Sequence, residues 1–399
     1  MSVSLWQRSS GPGEVRAEVA VLGGGIAGVS AALALEARGV DALVVERGRV
    51  GCGASTRNAG YLMRGAADNY AAAARDFGRD RARRLWRLSE RNLAALVELG
   101  ADRLPSFERR ASCLLALEPG EADELRASAA MLAEDGLDAE LVERGADAAW
   151  SNARPIAGLV NPGDAVIDPA ELMGLLAGRL RRAPMEGAEV FAIERTGGGV
   201  VARTPDARVA ADRCLVCLNG FTPPLLRACD GWIAPNRGQM LALEAPGVRL
   251  DHAYYANHGG EYIRRADERL VIVGGWRRAF EAEERTASDA VSDGVQAGIE
   301  AFAERVLGGR FPVAARWAGT MGFSATGLPI VAPAAGEPPG DARVWVCGGF
   351  TGHGMSLGHA VAGVAAGAVA GDTRGAWSDL FAAPEAATGG VGSVERDAG

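Results

Sequence analysis

Residues 17–47 read AEVAVLGGGIAGVSAALALEARGVDALVVER, and no other stretch of the chain restricts its fold as much. A short apolar run, Val19–Leu22, enters Gly23-x-Gly25-x-x-Gly28. An alanine-rich stretch follows and stops at Gly39. A second apolar run, residues 42–45, ends in Glu46, 18 positions after Gly28. This order predicts strand, glycine turn, helix and strand. Gly23 permits the tight turn, and Gly25 lets the backbone approach a pyrophosphate where Ile26 and Ala27 open the helix. Gly28 lets helix and strand touch, and Glu46 accepts hydrogen bonds from a ribose. Glycines at this spacing are a weak signal alone; with both strands, the helix and the acid in place they predict a Rossmann-like dinucleotide-binding unit.

After the acid comes RGRVGCGASTRNAGYLMRG (47–65), where an NAD-binding domain would start its next helix. A long glycine-rich stretch suits a cofactor that stays bound. The expected contacts are Arg47, Gly53, Ala54, Ser55, Arg57, Asn58, Ala59 and Gly60, with Arg57 and Asn58 offering a charge and an amide to phosphates or ring. A second segment of this style, VWVCGGFTGHGMSLGHAVAGVAAG (344–367), lies near the C-terminus. It reads as a strand, a glycine-rich turn holding His353, and a small-residue helix.

Composition narrows the function classes. A 399-residue chain that is 48% hydrophobic can bury a large core and is expected to form two domains. The net charge of −8 argues against nucleic acid as the main partner. The arginine-rich stretch 75–91 is interleaved with Asp, Leu and Trp and reads as a solvated helix face. No run reaches the roughly 20 apolar residues that span a bilayer, and the start lacks a secretory pattern, so the expected location is cytoplasmic. Six cysteines read as reduced thiols. Cys214 and Cys217 sit three apart on an expected strand and so point to opposite faces; no metal site is expected. All 42 basic residues are Arg, so no lysine can act as base, Schiff-base nucleophile or oxygen-activating cation.

The GASTRNAG segment (53–60) resembles the FAD-dependent amine oxidoreductases of the D-amino-acid oxidase superfamily, and the likeness runs along nearly the whole chain. The pattern around Trp317, Met321 and the Leu-Pro that follows is similar to gamma-glutamylputrescine oxidase and glycine-oxidase-like members. The resemblance implies an α/β chain: a Rossmann-like FAD-binding domain with a discontinuous second α+β substrate domain built on an antiparallel sheet. The FAD-binding parts would be 1–80, 150–230 and 335–382. The substrate domain would have a helical part at 81–149 and a sheet part at 231–334, and 383–399 would be a disordered tail. Val190 would meet the adenine side of FAD. Asn219 and Gly220 would end a strand near the cofactor, with Gly319 close by. Gly352, His353, Gly354 and Met355 would point N–H groups at the pyrimidine edge of the flavin, where negative charge appears on reduction.

Departures from the family pattern bear on substrate and flavin. The Arg that clamps a substrate carboxylate in glycine-oxidase-like members is here Met321, and a second basic residue of sarcosine oxidases is Ser356. Neither can replace a bidentate guanidinium, which disfavours α-amino acids unless Arg64, Arg264 or Arg277 takes over. Positions that carry a covalent flavin link in relatives hold Arg57 and Trp317, so FAD is expected to be non-covalent. The oxygen-activating lysine is replaced by Ile272 or Val273, which leaves oxygen or another electron acceptor open.

The implied activity is oxidation of a C–N bond of a small-molecule amine. His353, Tyr262, Trp317 and Met321 are the candidate catalytic residues. Trp276, Phe323 and Phe350 are further candidate cavity residues, with Tyr254 and Tyr255 behind them, and His252 and His258 stand near the entrance. The alternatives are an FAD-binding partner subunit with little turnover, or an α-amino-acid oxidase with a relocated Arg. The sequence leaves the oligomeric state open.

Overall fold

The computed structural model describes residues 13–66, 68–338, 340–372 and 377–381. Two large sheets organise it. In the seven-stranded sheet, Gly13–Leu22 lies parallel to Ala42–Val45 on one side and to Ala207–Val216 on the other. Beyond these, Val344–Gly348 continues in parallel and Ile330–Pro333 closes the edge antiparallel. Two short strands, Ala192–Thr196 and Gly199–Arg203, form a meander leading into Ala207–Val216. The central strands are continuous apolar runs because both faces are covered.

One face carries the helices Ile26–Glu36 and Gly354–Val369. Small residues let the two helices approach: a Cβ at Gly358 would lie 3.0 Å from Ile26. His359 Nδ1 meets Ser30 Oγ at 2.9 Å across that contact. Cys217 belongs to the core on this face and Cys214 to the core on the other, as expected of strand residues three apart.

The eight-stranded sheet has the order Val313–Ser324, Ile233–Glu244, Leu270–Gly274, Glu261–Arg265, Ala253–Ala256, Ser112–Ala116, Ala157–Asn161, Glu140–Val142. Every pair is antiparallel except Ala253–Ala256 with Ser112–Ala116. One face packs on the helix Asp293–Leu307, whose Val295, Ile299, Phe302 and Val306 recur at helical spacing. Val271 and Val273 point to that helix, while Ile272 points the other way. The other face turns toward the first unit and packs Tyr255, Tyr262, Ile272 and Trp317 against Tyr61 and Met63.

Two expectations need correction. The stretch 81–149 supplies the helices Arg79–Glu98 and Pro119–Glu134, but also two strands of the large sheet, and residues 157–161 join that sheet and not the first one. Ser112–Ala116 pairs with a strand about 140 residues later, so nothing local marks it. The arginine-rich stretch 75–91 is helical, and its charges pair with neighbouring acids, including Arg79 with Asp135 at 3.0 Å and Arg84 with Asp379 at 2.6 Å. The expected tail 383–399 lies outside the described residues. Among the described residues no helix is long and apolar enough to cross a membrane, and no His, Cys, Asp and Glu cluster has a metal-ligating arrangement.

Candidate active site

The carboxyl ends of Gly13–Leu22, Ala207–Val216 and Val344–Gly348 converge, as at the ligand crevice of an open parallel sheet. Gly23 has φ +106°, and a Cβ there would lie 2.7 Å from the Cys217 carbonyl oxygen. A Cβ at Gly28 would lie 1.9 Å from the Gly23 carbonyl oxygen. Helix and strand therefore meet in backbone contact, with Ala27 buried beneath them.

The first helix carries no acidic residue in its first turn, and the Ile26 N–H donates to Ser55 Oγ at 2.8 Å. The helix N-terminus thus presents its donors to a neutral hydroxyl and to the space beyond it. Glu46 is 8% exposed and accepts from the N–H groups of Gly24 (2.6 Å) and Gly48 (2.8 Å). Beside it, Ala188 N–H donates to the Glu46 carbonyl, which brings partly buried Val190 alongside the end of Ala42–Val45. Arg47 stacks over the Phe221 ring at 4.1 Å.

The following loop is braced by its own side chains. Asn58 Nδ2 donates to the carbonyls of Ala54 and Ser55, and its Oδ1 accepts from Gly60 N–H. Arg57 donates to the carbonyls of Cys52 and Ala318 and to Asp289. Asn58 thus shapes the loop, and Arg57, bonded within the loop through Nε, ties it to the strand Val313–Ser324 through Nη1. The Trp317 indole donates to the Arg57 carbonyl at 3.2 Å, and a Cβ at Gly319 would lie 2.9 Å from the Arg57 side chain. Ala59 is buried, and its carbonyl accepts from Arg264 Nε.

The second loop faces this one. Asn219 holds φ +48°, and its Oδ1 accepts from Gly349 N–H at 2.9 Å. Gly220 lies so close to Met321 that a Cβ would sit 2.4 Å from its carbonyl oxygen. These contacts pin the end of Ala207–Val216 to the start of the loop. The helix Gly354–Val369 begins at its far side, so its first N–H groups have no intrahelical acceptor. Asn92, from the helix Arg79–Glu98, donates to the Met355 carbonyl and accepts from Ala360 N–H at 3.0 Å each, fixing that helix end.

Both glycine loops pass a test of fit for FAD. A Cβ at Gly53 would meet nothing within 4 Å, and at Gly25 it would meet only the Ser55 hydroxyl. At Gly352 and Gly354 the nearest neighbours would be Met321 at 3.9 Å and Phe350 at 4.0 Å. These are open cradles lined by backbone, one at each end of the crevice.

Beside the first loop packs an aromatic cluster. Tyr61 and Tyr255 have ring centroids 4.7 Å apart, and Tyr262 packs 6.2 Å from Tyr61 and 5.7 Å from Tyr255. A Cβ at Gly274 would strike the Tyr262 ring at 2.5 Å, so that glycine makes the ring's seat. Burial raises all three phenols, Tyr262 to about 12, which keeps them protonated at neutral pH. The Met321 side chain lies over Gly238 and reaches toward Gly352. His353 is partly buried and stands at the N-cap position of Gly354–Val369 without a capping side-chain bond. Desolvation lowers its pKa to about 4, with hydrogen bonding to the Ala66 backbone opposing the shift, so it is neutral at pH 7.

Other candidates lie elsewhere. Trp276 packs into the substrate-side core, where a Cβ at Gly298 would overlap its indole at 1.9 Å. Tyr254 is buried on the far face, hydrogen-bonded to Asp147. Phe350 is buried under the C-terminal helix, bridged to Phe323. His252 packs edge-on against Tyr254, and His258 stands 3.5 Å from Glu124. Ser356 is buried and accepts the Met63 N–H at 3.1 Å. Tyr61 and Asn92 were missed by sequence reasoning. Tyr61 stands inside the quoted glycine-rich stretch, and Asn92 is an amide on the apolar stripe of an amphipathic helix.

Comparison with known proteins agrees with this geometry. The family described as DAO, FAD dependent oxidoreductase, matches residues 18–368. A probable oxidoreductase, OrdL, of Rhizobium meliloti (strain 1021) is 25% identical over 376 residues, 87% of this chain and 81% of that one. Gamma-glutamylputrescine oxidoreductase of Escherichia coli (strain K12) is 39% identical over 71 residues, 18% of this chain and 17% of that one. In fold, the chain is similar to glycine oxidase from Geobacillus kaustophilus, with a TM-score of 0.76 at 20% identity over 93% of this chain and 99% of that one. The chain belongs to the DAO family of FAD-dependent oxidoreductases.

Proposed function

We propose that the protein oxidises a C–N bond of a small-molecule amine, with FAD held non-covalently between the two glycine loops. The observation that carries this reading is the aromatic cluster of Tyr61, Tyr255, Tyr262 and Trp317 on the inner face of the substrate sheet, with Tyr255 lining one cavity together with His353 of the second loop. Aromatic faces attract an amine and hold its carbon chain by contact and stacking. Gly25, Ile26, Ser55 and Gly53 would hold the phosphates, Glu46 the ribose, and Gly352 to Met355 the ring edge. Bound there, FAD would supply the acceptor for a hydride leaving the carbon next to nitrogen, and the resulting C=N bond would hydrolyse to a carbonyl compound and an amine.

The chain's own contribution is placement and electrostatics. The start of Gly354–Val369 offers a positive helix end where anionic charge would develop. His353, neutral at pH 7, supplies hydrogen bonding and no charge. Non-covalent attachment is supported at the positions that carry the link in relatives, where Arg57 and Trp317 offer no thiol or imidazole. Cys52 lies beside Glu46, at the ribose end of the crevice. Ile272 stands on the cavity face where relatives carry a lysine, so both oxygen and another acceptor fit the reading.

The test is an anaerobic spectrum of the purified protein with amines added class by class, then air. Bleaching of the yellow flavin by amines supports the reading, and rapid recolouring in air identifies oxygen as acceptor. A yellow protein that no amine bleaches contradicts it and favours a flavin-binding partner subunit.

A further inference from the structure

The cavity that His353 lines is bordered by hydrogen-bond acceptors that lack donors. Met63, Asp68, Asn69, Asn161 and Tyr255 stand on its walls with His353. A second cavity shares Asp68, Asn69, Leu114, Tyr255 and Gly259 with the first and adds Glu121 and His258. The two abut, so a passage leads from the second glycine loop to the turn 257–260 and the start of the helix Pro119–Glu134.

Asn161 is 3% exposed, and its neighbours fix which way its amide points. The single hydrogen of Ser112 Oγ goes to Asp164 at 2.6 Å, so this hydroxyl can only accept from the amide. Asn161 Nδ2 donates to it at 3.4 Å. Ser112 is not on the cavity wall, which leaves Oδ1 as the end of the side chain turned to the passage. Among the described residues that oxygen is buried and has no hydrogen-bond partner. The donors around it are committed: Arg64 to Asp164 and the Asp138 carbonyl, Asn69 Nδ2 to Asp68 and Glu124, Trp86 to Glu90, and Tyr70 to Asp135. A buried acceptor in that state is costly unless a donor reaches it when the protein works.

Asp68 adds a charge to the same walls. Its Oδ1 accepts from Asn69 N–H at 2.7 Å and Nδ2 at 3.1 Å. Among the described residues its Oδ2 has no donor and the carboxylate forms no ion pair. Burial raises its pKa above the ordinary carboxylate value, and the bond from Asn69 N–H opposes only part of that shift. The cations nearby are already engaged. Arg64 meets Asp164 at 3.2 Å and Glu90 at 3.6 Å, Arg75 meets Glu124 at 3.5 Å, and Arg278 donates to the carbonyls of Asn257 and His258. His258 stands 3.7 Å from Glu121 and 3.5 Å from Glu124. The passage therefore carries surplus negative charge along its length.

We infer that the passage takes a second nitrogen of the substrate, a cationic amine whose N–H groups are received by Asp68 and by Asn161 Oδ1. The substrate is then a diamine: one C–N bond meets the flavin at the second loop while the other nitrogen anchors the chain. The spacing is short. The Ala66 backbone bonds His353, and Ala66 precedes Asp68 by two residues, a span of at most about 7 Å. The inference rests on the C–N oxidation reading for the fate of the first nitrogen, but the cation site is separable from it.

The test titrates the FAD-loaded protein, reduced with dithionite and kept anaerobic, with 1,4-diaminobutane, n-butylamine and 4-amino-1-butanol in a calorimeter. Reduced flavin cannot take a hydride, so binding is read without turnover. The diamine is expected to bind at least about tenfold tighter than either monoamine. Asp68→Asn keeps the shape and removes the charge, and should cut that preference to about threefold or less. Asn161→Leu removes the buried acceptor and should weaken the diamine more than n-butylamine. Each comparison is a ratio within one protein, so a variant that folds only in part still gives a valid answer. Equal affinity for diamine and n-butylamine, or a preference that survives Asp68→Asn intact, overturns the proposal. So does 4-amino-1-butanol binding as tightly as the diamine, because a neutral donor would then fill the site. If the diamine binds through Asp68 and yet no amine bleaches the oxidised flavin, the C–N oxidation reading fails and the cation site stands. If amines bleach it with no preference for a second nitrogen and Asp68→Asn changes nothing, the reverse holds.

Discussion

Asp164 and Arg64 form an ion pair at 3.2 Å in which neither residue is more than 7% exposed. The second oxygen of Asp164 accepts from Ser112 Oγ at 2.6 Å, so one carboxylate joins the cofactor-side loop to the first strand of the substrate sheet. Asp164→Ala removes the buried partner of Arg64, leaving it only the more exposed carboxylates of Glu90 at 3.6 Å and Asp138 at 4.0 Å, and is expected to cost about 3 kcal/mol. Denaturant unfolding checks it; a loss below 1 kcal/mol would mean that the pair is not buried in solution.

The pH dependence of stability follows from two groups with opposite signs. Desolvation raises Asp164 from 3.8 to about 6. Between those values the unfolded chain has lost a proton that the fold keeps, so stability falls as pH rises through that window. His353 is lowered from 6.5 to about 4. There the unfolded chain holds a proton that the fold lacks, and stability rises as pH goes from about 4 to 6.5. Wild type minus His353→Gln should therefore gain up to about 3 kcal/mol across that range. Stability curves at pH 4, 5, 6 and 7 measure it, and a constant difference between the two proteins would refute it.

Two glycine substitutions separate folding from cofactor binding. Gly28→Ala forces its Cβ to within 1.9 Å of the Gly23 carbonyl oxygen and should lower both melting temperature and flavin content. Gly53 has φ −85° and open space at its Cβ, so Gly53→Ala should leave the apoprotein's stability within about 0.5 kcal/mol. Its FAD affinity should nevertheless fall at least tenfold. Equal FAD affinity in Gly53→Ala and wild type would place the cofactor elsewhere.

Glu284 is fully buried, with its two oxygens taking Arg237 Nε at 3.0 Å and Nη2 at 2.5 Å. Glu284→Ala should cost about 3–5 kcal/mol. Asp289 binds Arg57 at 2.8 Å, but both side chains are solvated, so Asp289→Ala should cost at most about 1 kcal/mol. Thermal melts of the two variants side by side decide whether burial, and not ion pairing as such, sets the difference.

Catalysis should follow the substrate's own ionisation. With His353 neutral and the three phenols protonated at neutral pH, the rate of flavin bleaching should rise with pH on one ionisation. That apparent pKa should move with the amine supplied. A fixed value across amines of different basicity would point to a protein base.

Legibility in the sequence ended where distant chain began to matter. Gly23, Gly25, Gly28 and Glu46 fall within one βαβ unit, so spacing alone carries the motif. The tie that Arg57 makes was not legible, because two of its acceptors, Asp289 and the Ala318 carbonyl, lie more than 200 residues on. Ser356 looked like a vacated substrate position, yet its hydroxyl holds the Met63 N–H. The strand Ala157–Asn161 was hidden because its neighbours come from residues 112–116 and 140–142.

The first helix, Ile26–Glu36, packs against Gly354–Val369, and the strand Ala207–Val216 takes its parallel neighbour from Val344–Gly348. An emerging polypeptide therefore exposes an apolar helix flank and an unpaired strand edge until nearly all of it has left the ribosome. Loop closure over more than 300 residues makes that step slow. The second loop is therefore among the last parts of the crevice to be made, and a chain terminated before residue 344 is an aggregation hazard that carries only one of its two glycine loops.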